Sequence, residues 1–275
     1  MPIIPANGTE LYYVEAGSGL PCLVMHGGLG VDHTYLHPWL DPLGDVLRLI
    51  YYDHRGNGRS GRPALETLTF DQFCADADTL RSARGLDRVA VMGSSYGGFI
   101  ALEYALRYPE RLSHLILLGT APAFNYGPEI IANVRRKGAN AEMMAVFQTP
   151  NAADDNEMRH ALNLIMPLYF HTFDPEHHPR LYENIIVSGA AGARSNQLLS
   201  GYDVTTRLGE IGVPTLILAG RDDFICPPSQ ATIMHANIDQ AELVVFERSG
   251  HLPYAEEPET FFAVIHDWLA RTRSK

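Results

Sequence analysis

The first pattern in the chain that could carry out chemistry is a serine between two glycines. The run from Gly93 to Gly97 reads G-S-S-Y-G and matches the pattern G-x-S-x-G. An apolar run ending at Met92 precedes it, and a helix-forming run follows it. In this setting the chain turns so tightly that the flanking positions must be glycine, and the central serine projects its hydroxyl group from the sheet. The pattern therefore predicts Ser95 as a nucleophile.

A serine hydroxyl group is a poor nucleophile unless a base accepts its proton. The predicted base is His251, which lies in an S-G-H-L-P run after the last strand-like segment. Between the serine and this histidine, Asp222 and Asp223 follow another strand-like segment, and an aspartate there could orient the imidazole ring. The order Ser, Asp, His along the chain fits an acyl-transfer triad.

Acyl transfer also needs donors for the negative charge that develops on the carbonyl oxygen. One predicted donor is the backbone N–H of Tyr96, at the start of a helix. The second should come from the loop after an early strand, where His26 begins an H-G-G-L-G run. Glycines let this backbone approach a substrate oxygen, so the N–H of Gly28 is the predicted second donor, with that of Leu29 as the alternative.

Short apolar runs alternate with helical patterns along most of the chain. The alternation predicts an α/β fold with a mostly parallel sheet covered by helices on both faces. The predicted strands are 22–25, 48–52, 89–92, 115–118, 215–219 and 243–246, and 11–14 is expected to belong to an antiparallel edge hairpin. Thr69 and Gln72 form a capping-box pattern before a helix that ends near Gly85. Further helices are predicted over 97–108 and 258–271.

Residues 122–207 interrupt this alternation. They contain no strand pattern, but they do contain helix-forming stretches at 139–148 and 156–166. Because a structureless loop of this length is uncommon in a compact domain, we expect a helical cap over the sheet. The predicted organisation is a core of residues 1–121 and 208–275 with a cap insertion at 122–207.

Composition excludes several classes of function. The chain has 21 Lys and Arg against 32 Asp and Glu, a net charge of -11, which disfavours nucleic acids and anionic membranes. Its three cysteines are far apart, so neither a disulfide framework nor a CxxC metal site is expected. We see no signal-peptide pattern and no membrane span, and we expect a cytoplasmic protein that requires no metal or organic cofactor. Its expected partner is a small-molecule substrate, and a homo-oligomeric state is left open.

These motifs together resemble the α/β-hydrolase fold serine hydrolases over nearly the whole chain. The run from Asp53 to Ser60 matches the D-x-R-G-x-G-x-S loop of that family, where the loop supports the oxyanion residues. The resemblance is strongest to cap-bearing members near the proline iminopeptidases. In that family the acid lies in G-x-x-D-x-x-x-P, which implies Asp223 rather than Asp222.

The chain also departs from the proline iminopeptidase pattern. Leu29 replaces a proline, Tyr96 replaces a tryptophan, and neither tryptophan of the chain lies in the insertion. The insertion has nine carboxylates and seven basic residues, which does not predict a strongly charged substrate. Its apolar side chains are expected to contribute to a substrate pocket, for which the candidates are Leu29, Met143, Phe147, Met166 and Tyr169.

The predicted function is hydrolysis of small, fairly apolar carboxylic esters or lactones through an acyl-enzyme. A proline-releasing aminopeptidase is the nearest alternative, and it would need a cap group that holds an ammonium ion. A carbon–carbon bond hydrolase or a cofactor-free perhydrolase could use the same residues. From another class, a small-molecule receptor with vestigial hydrolase activity is the remaining alternative.

Overall fold

Eight strands form one sheet in the computed structural model, which describes residues 2–148 and 154–272. The strands are β1 Ile3–Ala6, β2 Thr9–Ala16, β3 Leu20–Met25, β4 Leu47–Tyr52, β5 Val89–Ser94, β6 Leu112–Leu118, β7 Thr215–Gly220 and β8 Ala241–Phe246. Their order across the sheet is β1-β2-β4-β3-β5-β6-β7-β8. The six strands β4-β3-β5-β6-β7-β8 pair with their neighbours in parallel. β1 pairs antiparallel with β2, and β2 pairs antiparallel with β4. The predicted, mostly parallel sheet is confirmed.

Helices cover both faces of the sheet because the central strands are apolar on both sides. In β3, Leu23 and Met25 pack into one core, whereas Cys22 and Val24 pack into the core on the opposite face. The core helices are α1 Phe70–Ala83, α2 Tyr96–Arg107, α7 Pro228–Asn237, α8 Pro253–Glu256 and α9 Pro258–Thr272. Helices α1, α2 and α7 share the first core, and α9 contributes to the second. This two-sided burial explains why the strands read as continuous apolar runs.

The chain between β6 and β7 carries the remaining α-helices of the described residues. They are α3 Gly127–Arg136, α4 Ala141–Gln148, α5 Asp155–Ile165 and α6 Gly189–Leu199. The two ends of this segment bond to each other, since the N–H of Phe124 donates to Tyr202 and that of Val204 donates to Pro122. We call residues 122–207 the cap. Residues 149–153 of the cap, together with residues 1 and 273–275 of the predicted core, lie outside the described residues.

The N-terminal strands extend beyond the expected edge hairpin. β2 has eight residues and pairs antiparallel with β4 as well as with β1. Asn7 and Gly8 join β1 to β2, and both have a positive φ angle, +46° and +80°. Two consecutive residues of this kind are what a tight two-residue hairpin requires. No helix within residues 2–148 and 154–272 has the length and apolar character needed to cross a bilayer.

Candidate active site

Ser95 lies at a sharp turn between β5 and α2. Its φ angle is +53°, a left-handed conformation that non-glycine residues rarely adopt, and its N–H donates to the Leu118 carbonyl at 2.8 Å. A Cβ atom at Gly97 would collide with the Met25 carbonyl oxygen, and one at Gly93 would lie 2.5 Å from the Gly97 carbonyl oxygen. The close approach of neighbouring backbone therefore requires both glycines of the motif, and the turn presents Ser95 at the carboxyl end of the sheet.

His251 and Asp223 form a buried pair. Oδ2 of Asp223 lies 2.7 Å from Nδ1 of His251, and the other oxygen accepts the N–H groups of Ile225 and Cys226 at 3.0 and 2.9 Å. A carboxylate at Nδ1 holds the proton on that nitrogen and leaves Nε2 able to accept one. The ring also contacts Tyr169 edge-on, with 5.3 Å between ring centroids.

Asp222 points away from this pair. Its carboxylate bonds to Nδ1 of His171, and both of these side chains are partly exposed to solvent. The structure thus places Asp223 against His251, and it places Asp222 beside a histidine of the cap. The motif spacing G-x-x-D-x-x-x-P favours the same aspartate.

The glycine loop after β3 lies directly against the serine turn. A Cβ atom at Gly27 would be 2.6 Å from the Cβ of Ser95, so any side chain here would displace Ser95. Gly28 follows with a φ angle of +59°. Across the site, Tyr96 is the first residue of α2, and its N–H has no carbonyl partner inside the helix. The N–H groups of Gly28 and Tyr96 therefore belong to the two segments that meet at Ser95.

Buried side chains hold the glycine loop in place. Nδ1–H of His26 donates to the Gly27 carbonyl at 2.9 Å, and its Nε2 accepts the N–H of His54 at 3.1 Å. Burial lowers the pKa of both histidines, which keeps them neutral. The Tyr35 hydroxyl accepts the N–H of Gly27 at 2.6 Å and donates to Ser94 at 3.2 Å. The sequence places His26 at the start of this loop, whereas no motif marks Tyr35.

The loop from Asp53 to Ser60 ties the glycine loop to the core. The Asn57 side-chain oxygen accepts the N–H of Gly30 at 2.5 Å. Burial alone would raise the pKa of Asp53, but bonds from His33 and from the Arg59 backbone hold it below the usual value. Arg55 makes a buried bidentate pair with Asp76, with N–O distances of 2.6 and 2.7 Å. These contacts are structural and do not reach the cavities.

Two cavities meet at Ser95. The smaller has a volume of about 80 Å³ and the larger about 600 Å³. Of the predicted pocket residues, Tyr169 lines both cavities, Met166 lines the smaller, and Leu29 and Phe147 line the larger. Met143 lines neither cavity and packs half-buried against the core. Sequence reasoning missed the smaller cavity and Tyr182 in its wall.

One segment of the cap, residues 169–172, is bonded to the loops that carry Asp222 and His251. The N–H of His251 donates to the Tyr169 carbonyl at 2.6 Å. One Glu256 oxygen accepts the N–H groups of His171 and Thr172 at 2.8 and 3.1 Å, and the other accepts that of Gly250 at 2.7 Å. No motif in the sequence assigned a role to Glu256.

Lys137 adds a further tie between α3 and this segment. Its ammonium group donates to the Phe170 carbonyl at 2.6 Å, and burial lowers its pKa. We call residues 169–172 the anchored segment, because α3, the Asp222 loop and the Gly250 loop all bond to it.

Asp223, Cys226 and His251 place potential metal-binding atoms within 4.8 Å of one another. Burial raises the pKa of the Cys226 thiol well above its usual value, so this group stays protonated and is a poor metal ligand. Asp223 and His251 are already bonded to each other. In the cap, His177 bonds to Asp174 and His178 stacks on Phe170, so these side chains do not converge on one point with His171.

Residues 21–258 match the family model described as the alpha/beta hydrolase fold. The chain belongs to this family. Together with its relatives, this membership identifies the chain as a serine hydrolase.

Curated relatives of this α/β hydrolase cover almost its whole length. Proline iminopeptidase PfmaB of Pestalotiopsis fici is 29% identical over 98% of this chain and 99% of its own. Proline iminopeptidase of Clostridioides difficile is 30% identical over 97% of this chain and 96% of its own. Among solved structures, an esterase from Exiguobacterium antarcticum has a TM-score of 0.77 at 27% identity and covers 98% of both chains. The α/β hydrolase is therefore similar to enzymes with two different activities.

Proposed function

We propose that this serine hydrolase cleaves small, fairly apolar carboxylic esters or lactones. The observation that carries the proposal is the lining of the two cavities. None of the described residues that line them is Asp, Glu, Lys or Arg. Residues 149–153, which the structure does not describe, read T-P-N-A-A and contain no charged side chain either. An uncharged substrate fits such a lining because no buried ionic group is left without a partner.

The proposed mechanism uses an acyl-enzyme. Ser95 attacks the carbonyl carbon while His251 accepts its proton, and Asp223 holds the imidazole ring in the required tautomer. The N–H groups of Gly28 and Tyr96 bind the oxyanion. His251 then donates the proton to the leaving group, and water releases the acid. The buried Asp223–His251 pair and the positive φ angle of Ser95 support these roles.

An aminopeptidase that releases N-terminal proline is an equally good candidate. Two full-length relatives with 29% and 30% identity carry that name, and the same triad would serve an amide substrate. The cavity would then have to hold the substrate's ammonium group with neutral groups. The larger cavity offers Ser195, Asn196 and Ser200 for this purpose. A small-molecule receptor with vestigial activity is the alternative in which the pocket binds without turnover.

One experiment separates these functions. Hydrolysis of p-nitrophenyl acetate, butyrate and octanoate is measured alongside that of proline p-nitroanilide. We expect ester turnover, no anilide turnover, and a loss on the order of a million-fold in kcat for Ser95→Ala. Ser94→Ala, at the neighbouring position, is the matched control and should keep activity within about tenfold, since the change removes the bond that the Ser94 hydroxyl accepts from Tyr35.

Each other outcome selects a different function. Fast turnover of the anilide with slow ester turnover would establish the aminopeptidase and refute the esterase proposal. Stoichiometric binding of a ligand with turnover near zero for every substrate would establish the receptor. Full activity in Ser95→Ala would refute the acyl-enzyme mechanism itself.

A further inference from the structure

The two cavities at Ser95 differ both in size and in the catalytic groups that they expose. Four residues line both of them: Gly28, Ser95, Leu162 and Tyr169. Of the remaining site residues, His251 lines only the smaller cavity, and Tyr96 lines only the larger one. A substrate carbonyl at Ser95 would therefore have one substituent in each cavity.

The position of His251 assigns the two substituents. His251 must donate a proton to the oxygen of the leaving group, so that oxygen has to lie within hydrogen-bond reach of the ring. Because the ring faces the smaller cavity, the leaving group points into the smaller cavity. The acyl chain then points the other way, past Tyr96 into the larger cavity.

The volumes rank the two substituents by size. Measured in the same way, the larger cavity has more than seven times the volume of the smaller one, so the smaller substituent of an ester belongs in the smaller cavity. Methanol and ethanol are the smallest alcohols that such an ester can release. Val31, Met166, Leu252 and Tyr182 line the smaller cavity. Apolar side chains such as Phe99, Ile131 and Phe147 line the larger one, as a bulky acyl chain requires.

We propose that the substrates are methyl or ethyl esters of bulky, apolar carboxylic acids, an inference that rests on the proposed ester hydrolysis. The bond from Ser95 Oγ to the acyl carbon forms as the bond from that carbon to the alkoxy oxygen breaks. The alkoxy oxygen takes the proton that His251 received from Ser95 and leaves as methanol or ethanol. Water then gives a proton to His251 and its hydroxyl group to the acyl carbon, which releases the acid and returns the proton to Ser95.

Two isomeric esters test this assignment on the wild-type enzyme. Methyl 5-phenylpentanoate has the small group on the alcohol side, and 4-phenylbutyl acetate has the small group on the acyl side. We expect kcat/KM to be at least tenfold higher for the methyl ester. Alkyl esters are needed because p-nitrophenolate is a stable anion that leaves without a proton from His251, so an activated ester can bind in either orientation.

The outcomes separate this proposal from the proposed function. Equal or faster hydrolysis of the acetate would overturn the cavity assignment and leave ester hydrolysis intact. Hydrolysis of p-nitrophenyl butyrate without hydrolysis of either isomer would also overturn the cavity assignment and leave ester hydrolysis intact. If no ester of any kind is hydrolysed, both proposals fail.

A pair of variants tests the walls of the two cavities separately. Met166 lines only the smaller cavity and Phe147 only the larger one. With methyl, ethyl and butyl esters of 5-phenylpentanoic acid, Met166→Ala should raise the butyl-to-methyl ratio of kcat/KM about tenfold. Phe147→Ala, the matched control, should leave that ratio unchanged. A butyl-to-methyl ratio that changes only in Phe147→Ala would reverse the assignment, and thermal melting checks that both variants are folded.

Discussion

Replacing Asp223 by asparagine tests the proposed catalytic acid most directly. In the wild type, one Asp223 oxygen faces His251 and the other accepts the N–H groups of Ile225 and Cys226. An asparagine has only one oxygen. If that oxygen keeps the two backbone N–H groups, the amide NH₂ faces Nδ1 of His251 and donates to it. The proton of the ring then moves to Nε2, where it blocks acceptance of the serine proton.

The opposite rotamer is disfavoured. It would place the NH₂ group against two backbone donors, and leaving buried donors unsatisfied costs about 1–3 kcal/mol each. We therefore expect the wrong tautomer to predominate in Asp223→Asn and kcat to fall on the order of ten thousand-fold, or about 5.5 kcal/mol of transition-state stabilisation.

Asp222→Asn is the matched control one residue away. The Asp222 carboxylate pairs with His171, and exposed pairs of this kind contribute about 0–1 kcal/mol, so kcat should change by less than about fivefold. The assay is steady-state turnover of the substrate that the first experiment identifies, with circular dichroism to verify folding. A larger loss in Asp222→Asn than in Asp223→Asn would refute the assignment of the acid.

Three further perturbations concern the framework of the site. Arg55→Ala should lower the free energy of unfolding by about 3–5 kcal/mol in urea because it leaves Asp76 charged and buried; a loss below about 1 kcal/mol would contradict this. Gly97→Ala should abolish soluble, folded protein, whereas Gly127→Ala, where a Cβ atom meets nothing within 4 Å, should fold normally by circular dichroism. Because burial lowers the pKa of His26 and His54, the unfolded chain binds protons that the folded protein does not. Stability should therefore fall as the pH drops from about 6.5 to 5.5, by about 1 kcal/mol per histidine; urea midpoints that are constant over this range would contradict the buried neutral state.

The sequence predicted the central strands well because each is a short apolar run followed by a glycine or a polar loop. Burial on both faces produces such runs, and the runs before Gly93 and Gly119 correspond to β5 and β6. β1 was not predicted. It has only four residues, one of which is a proline, and three of the four are not buried, so no alternation of buried apolar and exposed polar residues marks it. The local signal that could have indicated β1 is the Asn7-Gly8 pair, which forms the hairpin turn between β1 and β2.

Part of the site could likewise be predicted from the sequence, and part could not. Local motifs indicated Ser95, His251 and Asp223, because the tight turns and short loops that hold these residues require particular residue types at the adjacent positions. The division into two cavities depends instead on side chains far apart in the chain, such as Tyr35, Leu162 and Tyr182. Helical periodicity could not distinguish Phe147, which lines the larger cavity, from Met143, four residues earlier on the same helix, which packs against the core.

The anchored segment has a consequence for product release. Because residues 169–172 bond to the loops that carry His251 and Asp222, this segment cannot lift without breaking these bonds or moving the loop of His251, the proposed base. A cap that opens with these bonds intact would pivot about this segment, and we expect it to move the walls of the larger cavity on α4 and α6 more than Tyr169. We expect the order of product departure to be set by which cavity can widen.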